Sequence, residues 1–140
     1  MSCIFCRIIG GDLPSRTVYE TDDVLAFLDA NPLARGHTLV IPKAHHERVG
    51  DLPSDVAGAV FEVVSVVTPR IETAVDADGT TVAVNDGEAA GQEIPHTHVH
   101  VVPRFEDDGN GPIHRLFSHR PSLTEPELDD VAAAIRGAAE

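Results

Sequence analysis

Apolar residues in this 140-residue chain fall into short runs punctuated by Pro, Gly and Asp, with two longer stretches at helical spacing. Phe5, Ile8 and Ile9 precede Gly10-Gly11, which predicts a short helix stopped by two glycines, with Cys3 and Cys6 on one face of it. Pro14 and Ser15 open into two strands, Thr17 to Glu20 and Val24 to Asp29, joined by a turn at Thr21-Asp22-Asp23. Asn31-Pro32 starts a loop that Gly36 closes, and His37 to Ile41 reads as a third strand ended by Pro42. Val56, Val60, Val63, Val64 and Val67 mark a helix from about Pro53 to Val75, with Ser54 or Asp51 near its cap and a kink expected at Pro69. After a turn at Asp76 to Gly79, Thr80 to Asn85 is a fourth strand. A glycine-bearing loop, Asp86 to Gln92, leads into a fifth, His96-Thr97-His98-Val99-His100-Val101-Val102, bracketed by Pro95 and Pro103. Pro112 to Phe117 suggests a helical turn. Leu123 to Ala138 suggests a helix with Thr124 as N-cap, Pro126 and Glu127 in the first turn, and an apolar stripe of Leu128, Val131, Ala132 and Ile135.

Strands that neighbour in sequence and connect by short turns imply a mostly antiparallel sheet. The expected fold is therefore α+β, a five-stranded antiparallel sheet with helices on one side. The absence of repeats and linkers makes residues 1–140 a single expected domain.

On a strand, side chains alternate faces, so His96, His98 and His100 would project to one side as a row of three imidazoles. A solvated polar face explains one histidine or two, but fits three in register badly. Near neutral pH each ring can be a nucleophile, a proton carrier, an anion donor or a metal ligand. Cys3 and Cys6 sit three apart. No run approaches membrane-spanning length, and Met1-Ser2-Cys3-Ile4 lacks the basic and apolar regions of a signal peptide, so the expected location is cytoplasmic. In that reducing setting metal or redox chemistry is expected of the pair, not a structural disulfide.

His96-Thr97-His98-Val99-His100-Val101-Val102 resembles the His-φ-His-φ-His-φ-φ signature of the histidine triad (HIT) superfamily, with Thr97 a departure at an apolar position. Cys3-Ile4-Phe5-Cys6, Val24 to Asp29, Gly36 to Lys43, Asn85-Asp86-Gly87 and Ala90-Gly91-Gln92 also resemble family blocks, in family order. The likeness spans residues 3 to about 104 and is nearest the prokaryotic Hint-like members. It implies a nucleotide-binding hydrolase or transferase acting at an α-phosphate of nucleoside phosphoramidates or similar purine conjugates. It implies also a homodimer with a continuous ten-stranded sheet.

Carried over residue by residue, the resemblance makes His98 the nucleophile, its other ring nitrogen donating to the carbonyl of His96. His100 donates to a phosphate oxygen, and Gly91, Gln92 and Asn85 hold the phosphate side. Phe5, Ile8, Phe27 and Leu39 surround the base, and Asp29 accepts from the ribose hydroxyls. His37 supports the triad by hydrogen bonding. Where Hint-type enzymes carry a serine that protonates the leaving group, this chain has Glu93. Cys3, Cys6, His45 and His96 match the ligands of a structural zinc in some prokaryotic members, with His46 a rival for the third place. His114 and His119 lie outside every block and are expected at the surface. Two other readings compete. One is a nucleotide-binding regulatory or scaffold protein with incidental turnover, which Glu93 favours. The other is a catalytic metal held by His96, His98 and His100, which leaves the Gly91-Gln92 loop and Asp29 unexplained.

Net charge is −13, from 23 acidic and 10 basic residues, and Lys43 is the single lysine. That balance excludes the basic footprint of non-specific nucleic-acid binding. Only 4% of residues are aromatic against 42% apolar, so the core must be mostly aliphatic. Abundant acid with almost no lysine suggests a chain suited to high salt, where self-repulsion is screened. Stability against denaturant should then rise from low to molar KCl; equal stability at low salt would contradict this.

Overall fold

Five strands form one antiparallel sheet in the order β1-β2-β3-β5-β4: β1 Thr17–Glu20, β2 Val24–Leu28, β3 Thr38–Pro42, β4 Gly79–Ala83 and β5 Val99–Arg104. The computed structural model describes residues 3–138. Met1, Ser2, Ala139 and Glu140, the ends of the expected 1–140 domain, lie outside the described residues. The chain separates after Gly109 into two compact units.

In the first unit, helix α2 (Ser54–Val75) covers one face of the sheet. Its Val60, Val63, Val64, Val67 and Ile71 pack with Val24, Ala26, Val40, Val99 and Val101 in one aliphatic core. Burying a side chain of this size contributes about 1.5–3 kcal/mol, so α2 is the main clamp on the sheet. The opposite face is covered too. Helix α1 (Ile4–Ile9) and its N-cap Cys3 put Cys3 and Phe5 against Leu25, Phe27, Leu39 and Ile41. The helices thus lie on both faces, correcting the one-sided arrangement expected above. The reason is in β2 and β3, which are apolar at nearly every position and therefore need cover on both sides.

Helix α2 starts at Ser54 with Pro53 as its cap residue and no side-chain cap, and the helical backbone continues through Pro69. Asp51 instead accepts from the backbone N–H of Arg48 at 3.2 Å. Gly36 has φ +95°, and a Cβ there would lie 3.0 Å from Val75 and 3.2 Å from Pro103, so the turn that delivers His37 to β3 admits only glycine.

The histidine stretch departs furthest from expectation. Strand β5 begins at Val99, so only His100 of the three lies in the ladder, opposite Leu39 of β3 and Ala83 of β4. Ahead of it the backbone bonds elsewhere: Thr97 N–H and Oγ1 both donate to the carbonyl of His46, at 2.7 and 3.0 Å. Thr97 thus sits at an apolar position because its hydroxyl has a buried partner there, and it is 2% exposed.

The second unit, from Asn110, holds a 3₁₀ turn at Ile113–Leu116 and helix α3 (Glu125–Gly137). As expected, Thr124 caps α3, accepting from Glu127 N–H at 3.3 Å while Glu127 accepts from Thr124 N–H at 3.0 Å. Leu128, Val131 and Ile135 of its stripe stay exposed.

Candidate active site

The segment ahead of β5 and the start of β5 carry the three histidines onto the α1 face of the sheet. Phe5 of α1 meets two of the rings edge-on, with centroids 5.8 Å from His96 and 5.1 Å from His98, and His98 lies 5.0 Å from His100. Backbone groups then decide which nitrogen of each ring holds the proton. A carbonyl only accepts, so the 2.7 Å contact of His98 Nδ1 with the His96 carbonyl requires Nδ1–H and, in the neutral ring, leaves the Nε2 lone pair free. His96 Nε2 lies 2.8 Å from the Pro42 carbonyl, so Nε2 donates there and Nδ1 keeps its lone pair. Leu33 N–H donates to His37 Nδ1 at 3.0 Å, hence His37 carries its proton on Nε2 and donates to His100 Nδ1, also at 3.0 Å. His100 is left with Nε2–H as a donor.

His98 and His100 open into a cavity of about 400 Å³, within the range of small-ligand sites. Phe5, Ile8, Phe27 and Leu39 form its apolar wall; Asp29, Asn85 and Gly91 also line it. These are the residues expected around a nucleotide, brought together from α1, β2, β3 and the loop before β5. Asp29 Oδ1 accepts from Asn31 N–H at 2.8 Å, while Oδ2 stands 3.7 Å from His37 Nε2. Gly91 has φ +96° and nothing within 4 Å of a Cβ position, so it leaves open space at that wall.

Gln92 takes a different place from the one expected. Its Oε1 accepts from Gly87 N–H at 2.7 Å, and its Nε2 donates to the carbonyls of Glu47 (2.7 Å) and Ile94 (3.0 Å). Both amide hydrogens are used, leaving none for a phosphate, and Gln92 lines a neighbouring cavity instead. Glu93 does reach the main cavity, as do Arg16 and Asn31, which motif reading missed. The available signal for Arg16 was register: its carbonyl accepts from Leu28 N–H at 3.0 Å, one residue before Asp29. His114 and His119 line a separate pocket of the second unit with Ile113, Phe117, Arg120 and Pro121.

Cys3, Cys6, His45 and His96 converge, with all four ligand atoms within 4.8 Å of one another. Cys3 Sγ and Cys6 Sγ lie 3.5 and 3.6 Å from His96 Nδ1, and Cys6 Sγ lies 3.3 Å from His45 Nδ1. Tetrahedral zinc with Zn–S ≈ 2.3 Å and Zn–N ≈ 2.0–2.1 Å sets ligand–ligand edges of about 3.3–3.8 Å, so the set fits. The free Nδ1 of His96 faces the sulfurs because Pro42 holds Nε2–H, as a second-shell carbonyl does at metal sites. Burial and neighbouring Cys3 raise the Cys6 thiol pKa, a cost that a bound cation would reverse. His45 joins this group and His46 does not. Among the described residues the other such group is Asp29, His37 and His100, in which His37 Nε2–H already donates to His100. The triad itself is not one, which removes the support for a facial metal on His96, His98 and His100.

The HIT domain family matches residues 11–107. An uncharacterized HIT-like protein of Methanocaldococcus jannaschii is 46% identical over 96% of this chain and 99% of its own. An adenylylsulfatase of Arabidopsis thaliana is 43% identical over 96% of this chain and 68% of its own. The crystal structure of a HIT family member from Bacillus subtilis superposes with a TM-score of 0.88 at 36% identity, covering 100% and 99% of the two chains. A zinc-bound histidine triad protein of Mycobacterium smegmatis gives 0.74 at 37%, covering 97% and 94%. A histidine triad nucleotide-binding protein of Sulfolobus tokodaii gives 0.73 at 36%, covering 96% and 89%. No helix among the described residues is long and apolar enough to cross a membrane.

Burial lowers the pKa of His37 and of His100; His100 falls from 6.5 to about 4, with His98 and His37 adding to the effect. An unfolded histidine protonates near 6.5, but the folded His100 does so only near 4, so between these values acid favours the unfolded chain. The stability is fully present above 6.5 and is lost as pH falls towards 4, on the order of 3 kcal/mol for His100. Urea unfolding from pH 7 to 4 should therefore show a smaller loss in His100→Asn than in the wild type; parallel losses would contradict the assignment.

Proposed function

The chain belongs to the HIT family, and on that premise we propose that it is a nucleotide-binding hydrolase or transferase. It acts at the α-phosphate of purine nucleotide conjugates such as nucleoside phosphoramidates, through a nucleotidyl intermediate on His98. The observation that carries this reading is the 2.7 Å bond from His98 Nδ1–H to the His96 carbonyl, which in the neutral ring leaves the Nε2 lone pair beside the cavity. A neutral imidazole so oriented is a competent nucleophile toward phosphorus.

The base lies among Phe5, Ile8, Phe27 and Leu39, and the remaining acceptor capacity of Asp29 takes the ribose hydroxyls. That leaves the phosphate at the end walled by Asn85, Gly91, His98 and His100. His98 Nε2 forms a bond to phosphorus as the bond to the leaving group breaks, the electron pair departing with that group. His100 Nε2–H donates to a non-bridging oxygen as charge builds; with its pKa near 4 it does this as a neutral ring. Water then attacks phosphorus, the nitrogen–phosphorus bond breaks, and His98 is restored.

Cys3, Cys6, His45 and His96 would hold a structural zinc, since four protein ligands leave no open position. It would tie the start of α1 to the histidine segment. A second copy of the chain is the proposed partner, with the unpaired edges of the sheet, β1 and β4, available to extend it to ten strands. Glu93 favours a second reading, a nucleotide-binding regulatory or scaffold protein, because a carboxylate in the cavity repels a phosphate.

Turnover of adenosine 5′-phosphoramidate in high-salt buffer separates the two. Wild type should show a burst and steady hydrolysis, and His98→Ala should lose at least ~10³-fold. Both preparations should retain one zinc per chain and run at twice the mass of one chain. Equal rates in the two proteins would contradict covalent catalysis, and AMP binding without turnover in the wild type would favour the second reading.

A further inference from the structure

Glu93 is common to two cavities. One is the site just described; the other, of about 260 Å³, is lined by Glu47, Arg48, Glu88 and Pro95 among others. The loop that carries Glu93 is pinned on its N-terminal side, where the Gln92 amide bonds Gly87, Glu47 and Ile94. Glu93 itself is exposed and makes no hydrogen bond or ion pair among the described residues. Neither guanidinium of the two cavities forms an ion pair with it among the described residues: Arg48 Nε pairs with Asp86 at 3.2 Å, and Arg16 lines the main cavity. An unpartnered carboxylate on a pinned stretch of backbone therefore lines both the site and the space beyond it.

We propose that Glu93 selects the leaving group: it favours an amine departing from phosphorus and disfavours an oxyanion such as sulfate. This rests on the nucleotidyl-transfer reading above. In the first step the His98 Nε2 lone pair forms the new nitrogen–phosphorus bond, and the phosphorus–nitrogen bond to the leaving amine breaks. The amine keeps that electron pair and must carry one added proton, taken from water, to leave as a neutral amine instead of an amide anion. With that proton on it, the bridging nitrogen is cationic before the bond breaks, and a nearby carboxylate stabilises this charge. Glu93 acts here through its charge and not as a general acid. A sulfate leaving group needs no proton and departs with negative charge, which the same carboxylate opposes. Leaving groups bearing further positive charge gain additionally from Glu47 and Glu88 beyond it.

The test compares kcat/KM for adenosine 5′-phosphoramidate and adenosine 5′-phosphosulfate in wild type, Glu93→Gln and Glu93→Asp, at low and at molar KCl. Wild type should prefer the phosphoramidate. Glu93→Gln should lower that preference by ~10-fold or more, through kcat and without weakening AMP binding. Glu93→Asp should retain most of it, and the difference between wild type and Glu93→Gln should shrink at molar salt, as a charge effect does and a packing effect does not. A substrate ratio unchanged in Glu93→Gln, with both substrates still consumed through His98, overturns this inference alone. Hydrolysis of neither substrate by the wild type overturns it together with the nucleotidyl-transfer reading.

Discussion

Three backbone groups settle the protonation pattern of the site before any ligand arrives. The Pro42 carbonyl takes the Nε2–H of His96, the His96 carbonyl takes the Nδ1–H of His98, and Leu33 N–H occupies Nδ1 of His37. Each bond selects one of two otherwise close tautomers, and the selection at His37 passes on to His100. His96 turns a lone pair toward the cysteines, His98 turns one toward the cavity, and His37 makes His100 a donor. Rings of one residue type, two apart in sequence, thus acquire three different jobs.

The irregular backbone from Ile94 to His98 is what makes this possible. A fully regular strand would commit the His96 carbonyl to a neighbouring strand; here it accepts from a side chain two residues on. The segment's own bonds go to the loop after β3, through Thr97 and the His46 carbonyl. The same loop carries His45 to the cysteines, so metal ligation and placement of the nucleophile share one anchor. Val99 and Val101, buried against α2, then fix the start of β5 and with it His100.

Much of this was legible in the chain. Period-two histidines, the Cys-x-x-Cys pair and the valine repeat of α2 are local patterns, and the likeness to HIT-family blocks supplied the roles expected of the site residues. What was not legible depends on partners far away in sequence. The start of β5 turns on a Thr97 hydroxyl that meets a carbonyl 51 residues distant. Gln92 reads locally as a phosphate donor, yet its amide is satisfied by a carbonyl 45 residues away. The two-sided helix cover does have a local signal, since the unbroken apolar runs of β2 and β3 demand it. Arg16 sits beside matched blocks without belonging to one, so pattern matching passed over it.

The tautomer pattern underlies both the nucleophile and the metal ligand set, and imidazole nitrogen NMR reads it directly. Two-bond proton–nitrogen correlations on ¹⁵N-histidine-labelled protein near pH 7.5 distinguish a protonated ring nitrogen from one with a free lone pair. His98 should show Nδ1–H with unprotonated Nε2, and both His37 and His100 the opposite tautomer, Nε2–H. A proton on His98 Nε2 would leave no nucleophile facing the cavity and would contradict it.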